Sequence, residues 1–146
     1  MRIGIYLTGI GQKLISCSAD DSIEAVARLL TRHHIGAMPV LETAGRMAGI
    51  ISERDLVRGF SERGKGALEL RARDLMTRSV VTCGPDETLS CARDLMKRHG
   101  FRHLPVVKDG KVCGIISMRD LLEGRLKERE LEINVLRDQV IAARNR

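Results

Sequence analysis

Residues 49–56, GIISERDL, return at residues 114–121 as GIISMRDL, with Glu53 against Met118 as the one difference. The octet closes a longer duplication. Residues 14–41 align with residues 80–107 at a constant offset of 66, which matches Cys17 with Cys83, Asp20 with Asp86, Leu29 with Leu95, Arg32 with Arg98, His33 with His99, Pro39 with Pro105 and Val40 with Val106. One residue fewer in the following loop shifts the offset to 65, and the octets fall into line. Such a repeat constrains the fold more than composition does, because units this short leave apolar faces that only the other unit or another chain can cover.

Each unit carries the same succession of patterns. A short β-type run, Leu14–Ser16 or Val80–Thr82, ends in acidic turn residues. Asp21 with Glu24 has capping-box spacing, and Ile23, Val26, Ala27 and Leu30 then mark one helical face. Leu89, Ala92 and Met96 mark the matching stripe in the second unit, with Gly100 placed to end that helix. Two strands follow, AMPV then MAGIIS in one copy and HLPVV then KVCGIIS in the other. The loop at Asp109-Gly110 is a strong hairpin signal. A last helix opens at Asp55 or Asp120, which gives the order β-α-β-β-α twice and an α+β fold. The stretch SERGKGALELRA between the units reads as a linker. From Gly124 to Arg146 a charged helix is expected, with Leu126, Ile133 and Val140 every seven residues and Leu136 and Ala143 at companion positions, a seam that Arg129 breaks.

Composition narrows the function. With 43% hydrophobic and 30% charged residues the chain is globular. It has no apolar run long enough to span a bilayer, and its opening residues lack a signal-peptide layout, so a cytoplasmic location is expected. Cys17, Cys83, Cys91 and Cys113 are scattered without a histidine at ligand spacing, which argues for small buried side chains and no metal site. A net charge of +6 suggests an anionic partner. Single-strand and RNA readers present aromatic platforms, and this chain has no Trp, one Tyr and two Phe. A phosphate-bearing small molecule uses the same charge with fewer demands. No activated nucleophile or placed carboxylate pair stands out, so the chain is not expected to be an enzyme.

In both octets a buried strand ends at serine and a helix starts near aspartate, at Ser52 and Asp55 or at Ser117 and Asp120. Two readings fit. The aspartate can cap the helix, or its carboxylate can accept hydrogen bonds from the vicinal hydroxyls of a ribose, beside a helix N-terminus that favours anions.

The doubled P-V strand, the doubled GIISxRDL and the DLMT stretch at Asp74–Thr77 resemble a tandem pair of CBS (cystathionine β-synthase) domains, a Bateman module. The resemblance covers about residues 8–125 and extends to stand-alone bacterial CBS-pair proteins. It implies a first repeat over 8–65, a second over 72–125 and a helical tail over 126–146, with the repeats related by a pseudo-two-fold axis and a homodimer as the assembly.

By the same resemblance each of two clefts takes an adenosyl ligand (AMP, ADP, ATP, NAD or S-adenosylmethionine), with ribose on Asp55 or Asp120. Ser16 and Thr82 then border the base, while Arg102, His103, Arg54 and Arg119 occupy places that reach phosphate. The first repeat has Gly36 and Ala37 where the second has Arg102 and His103. Arg102, His103 and Arg119 are therefore expected to serve the Asp55 cleft across the axis, leaving Arg54 to the Asp120 cleft. The function expected is a ligand-sensing regulatory module acting on an unknown protein. Its alternatives are a basic nucleic-acid binder and a scaffold with empty clefts.

Overall fold

The computed structural model describes all 146 residues. Its elements run α1 (Ile3–Gly9), β1 (Cys17–Ser18), α2 (Ile23–Arg32), β2 (Ala37–Leu41), β3 (Met47–Ser52), α3 (Glu53–Arg63), a 3-10 turn (Gly64–Glu69), α4 (Ala72–Leu75), α5 (Leu89–His99), β4 (His103–Lys108), β5 (Lys111–Ser117) and α6 (Met118–Arg144). The α+β class and the twofold repetition are as the sequence implies. No helix is long and apolar enough to cross a membrane.

Local chemistry explains most boundaries. Ser22, one residue later than the expected Asp21, caps α2 by accepting from the Ala25 amide, while Asp21 accepts from the Ser18 amide instead. Thr88 caps α5 in the same way, and that helix ends on Gly100 in the left-handed region at φ 70°. The hairpins β2–β3 and β4–β5 are antiparallel and in equivalent register, Val40 facing Gly49 and Val106 facing Gly114. The leading strands are shorter and later than expected: β1 is two residues pairing parallel with β2, and its counterpart is a single bridge from Cys83 to Val106. Leu14–Ser16 and Val80–Val81 stay outside any strand.

The two cores exchange segments. Cys17, Ile23, Val26, Leu30, Met38, Val40, Ile51 and Leu56 of the first repeat pack with Ala72, Leu75 and Met76. Cys83, Leu89, Ala92, Met96, Leu104, Val106, Ile116 and Leu121 of the second pack with Ile3, Tyr6 and Leu7. Each core is thus closed by the segment that precedes the other repeat in the chain. The Ala72 amide donates to Asp21 O at 2.8 Å, and the Ile3 amide to Glu87 O at 2.8 Å, so each closing helix is tied to the turn before its partner helix. Ala72, Leu75 and Met76 thus pack in the first core, and the stretch that reads as a linker, residues 61–72, holds the end of α3, the 3-10 turn and the first residue of α4. Helix α6 runs unbroken through 27 residues from the second octet into the tail.

Candidate ligand clefts

Both octets fold into the same device. Ser52 ends β3 in extended conformation, its hydroxyl accepts from the Asp55 amide, and Asp55 Oδ2 accepts from the Ser52 amide at 2.8 Å and from its hydroxyl at 3.0 Å. Ser117 and Asp120 repeat this at 2.7 and 2.8 Å. The aspartates are therefore the third residues of their helices, and the serines are the caps. Reciprocal capping engages one carboxylate oxygen at the strand end and leaves the other, Oδ1, to a second partner, while both aspartates line their clefts. Capping and ligand contact are compatible roles for one side chain.

The Oδ1 atoms meet different partners. Asp55, 6% exposed, pairs with Arg58 at 3.0 Å, and that guanidinium also donates to Leu75 O. At offset 65 from Arg58 stands Glu123, which accepts from the Tyr6 hydroxyl at 3.4 Å while Tyr6 also donates to Asp120 Oδ1 at 3.2 Å. Burial, then the Asp120 and Glu123 carboxylates, hold the Tyr6 phenol well above its ordinary range. Tyr6 therefore stays a donor. Charge reversal at one aligned position gives the aspartates opposite neighbours.

Around Asp55 lies a cleft of about 260 Å³, lined by Ser52, Glu53, Arg54, Arg58, Ser79–Val81, Gly36 and, from the second repeat, Phe101, Arg102 and His103. Around Asp120 lies one of about 440 Å³, lined by Ser117, Arg119, Glu123, His34, Gly36, His103 and the segment Gln12–Ile15. Arg102 and His103 thus reach across to the Asp55 cleft, and His103 lines the Asp120 cleft as well. The two octet arginines do not: Arg54 lines the cleft of its own aspartate, and so does Arg119. Each is the second residue of the helix its own serine caps, too close in the chain to reach across the axis. Ser16 and Thr82 line neither cleft, where Leu14 and Ile15, or Ser79, Val80 and Val81, stand instead. The Asp55 cleft gathers three arginines against two carboxylates, whereas the Asp120 cleft balances Lys13 and Arg119 against Asp120 and Glu123.

Residues that the motifs did not single out enter the site, among them Tyr6, Gln12, Lys13, Arg58 and Glu123. Gln12 is the most consequential. Its amide donates to Ile115 O at 2.8 Å and accepts from the Ile115 amide at 2.9 Å, covering one backbone edge of β5. At offset 65 the backbone of Thr77 makes the same pair of bonds with Ile50, at 3.0 and 2.9 Å. A side chain on one side of the axis does what a peptide does on the other.

His103 stands on the wall the clefts share. Its ring lies against Gly36, where a Cβ would come within 3.0 Å of Nε2. Burial holds its pKa below the usual 6.5, and Arg102 adds to this, against the opposing pull of Asp120 and Glu53. A lowered folded-state pKa means that the unfolded chain takes up the proton first. His103 therefore contributes stability that is complete above about pH 6.5 and lost as pH falls below it. Urea midpoints at pH 7.5 and 5.5 should diverge more in the natural chain than in His103→Gln; equal losses in both would contradict this.

Two β-α-β-β-α units, each with the aspartate of a capping box lining a cleft, define a class of tandem-repeat modules. The CBS domain family model matches residues 10–62 and 72–127, and the chain belongs to this family. It is 30% identical to the mitochondrial CBS domain-containing protein CBSX3 of Arabidopsis thaliana over 124 residues, covering 82% of this chain and 60% of that one. It spans about three fifths of the length of several curated relatives it matches. Among solved structures, a CBS-domain containing protein from Agrobacterium tumefaciens superposes with a TM-score of 0.81 at 33% identity, over 85% of this chain and 92% of that one. A CBS domain protein from Pyrobaculum aerophilum complexed with AMP superposes with a TM-score of 0.73 at 27% identity, over 82% and 89%.

Proposed function

We propose that the chain is a ligand-sensing regulatory module whose Asp55 cleft binds an adenine nucleotide. The observation that carries this is the convergence of Arg54, Arg58, Arg102 and His103 on one space beside a capped aspartate at a helix N-terminus. A carboxylate suits ribose hydroxyls, and guanidinium forks suit phosphate. Support comes from the AMP complex of the Pyrobaculum relative. The reading assigns no reaction to the chain. It takes the working unit to be a homodimer in the cytoplasm, where its four free thiols remain reduced. Burial, assisted by Asp21 and Glu87, pushes the Cys17 and Cys83 thiols up to about 12, so both stay protonated packing groups.

A thermal-shift panel of AMP, ADP, ATP, NAD, S-adenosylmethionine and guanine nucleotides tests the reading. At about 100 times its dissociation constant a ligand adds about 2.7 kcal/mol, roughly 5–10 °C for a chain of this size. An adenine nucleotide should give that shift. No shift from any adenosyl compound, or an oligonucleotide that binds in low salt and is not displaced by nucleotide, would overturn it.

A further inference from the structure

Beyond Glu128 every residue of α6 is exposed, so the helix leaves the body of the protein and continues for about 24 Å through Arg144. A solitary helix of that length is marginal in water. Leu126, Ile133, Leu136 and Val140 nevertheless sit 64%, 49%, 60% and 52% exposed along one heptad seam. With Leu126, Ile133 and Val140 as one seam row and Arg129, Leu136 and Ala143 as the other, the flanking positions hold Arg125, Glu132 and Gln139 on one side and Glu130, Arg137 and Arg144 on the other.

We propose that residues 126–143 form a parallel two-stranded coiled coil with a second copy of this chain. The flanking charges select both occupant and direction. In a parallel, in-register pair Arg125 faces the partner's Glu130, and Glu132 faces the partner's Arg137, each contact occurring twice by symmetry, so no like charges are opposed at the flanking positions, and Arg129 alone meets its own copy across the seam. Antiparallel pairing that sets Ile133 against Leu136 brings Arg125 beside the partner's Arg146. β-branched Ile133 and Val140 in one row with Leu136 in the other favour two strands. Arg129 interrupts the seam, and a single polar residue there fixes register at a cost in stability. The inference rests on the homodimer of the reading above, and not on which nucleotide binds.

Disulfide trapping in the full chain tests it, with the exposed Cys91 and Cys113 replaced by serine. Ala143→Cys places two thiols side by side only in the parallel pair, because a disulfide needs Cα atoms within about 7 Å. The antiparallel register leaves them about 25 Å apart. Mild oxidation should convert Ala143→Cys to a covalent dimer and leave Leu131→Cys, on the outer face, uncoupled. A dimer by light scattering that fails to cross-link at 143, or couples equally at 131, overturns the coiled coil and leaves the homodimer standing. A monomer at micromolar concentration overturns both.

Discussion

Asp55→Ala should weaken ATP binding at least roughly tenfold, and Asp120→Ala should leave it nearly unchanged. A charge-assisted hydrogen bond contributes about 1.5–3 kcal/mol, and 1.4 kcal/mol is a factor of ten in affinity. Asp55 lies among Arg54, Arg58, Arg102 and His103, so a ligand whose ribose it holds has cations within reach of its phosphates. Asp120 has its second oxygen on Tyr6, Glu123 beside it, and Gln12 over the neighbouring strand edge. A polyphosphate there meets no excess of positive charge. Neither variant should unfold the protein. Losing the aspartate's half of the capping box costs about 1 kcal/mol, and the Asp55–Arg58 pair adds at most about 1 kcal/mol more because Arg58 is half exposed. Calorimetry of ATP against both variants decides the matter, and loss of binding only in Asp120→Ala would reverse the assignment of the clefts.

The duplication made much of this legible. Aligned pairs such as Pro39 with Pro105 fixed which strands are equivalent, and alternation and turn residues placed the hairpins within a residue or two. Gly100 ended its helix as read, because a left-handed cap favours glycine strongly enough to show in a single letter. What stayed hidden depends on pairing between distant segments. Helices α1 and α4 are seven and four residues long, too short for periodicity to reveal, and their exchange between cores is decided by backbone bonds that no side-chain pattern records. Gln12 and Thr77 share no chemistry as letters, yet they occupy equivalent places, one through its amide group and the other through its peptide. Arg58 against Glu123 was available in the alignment at offset 65, two residues beyond the octets. The same holds for Glu53 against Met118, the one difference inside them, where Glu53 lines the Asp55 cleft and acts on His103.

Gly49→Ala should destabilise the protein by about 1–3 kcal/mol, the usual cost of forcing a methyl group into a packed contact. Gly114→Ala should cost less. The octet glycines are where each exchanged segment crosses its strand. At Gly49 an added Cβ would lie 2.5 Å from Thr77 O and 3.1 Å from the Met76 side chain. Thr77 O is backbone, already bonded to the Ile50 amide, so relief requires the whole crossing to shift and the first core to lose its seal. At Gly114 the Cβ would instead meet Leu7 Cδ1 at 2.6 Å and Gln12 Oε1 at 2.8 Å, both ends of side chains that can rotate away. Rotation has a consequence for the site. Gln12 would leave Ile115, freeing that amide and carbonyl at the edge of the Asp120 cleft. An uncharged adenosine carries a base that offers both a donor and an acceptor to such an edge, without the phosphates this cleft does not favour. Gly114→Ala should therefore bind adenosine more tightly than the natural chain, although it is slightly less stable. Urea denaturation of both variants, with adenosine calorimetry on Gly114→Ala, reads out the two effects separately. A Gly49→Ala protein as stable as the natural chain would refute the crossing argument, and unchanged adenosine affinity in Gly114→Ala would show that Gln12 does not guard the second cleft.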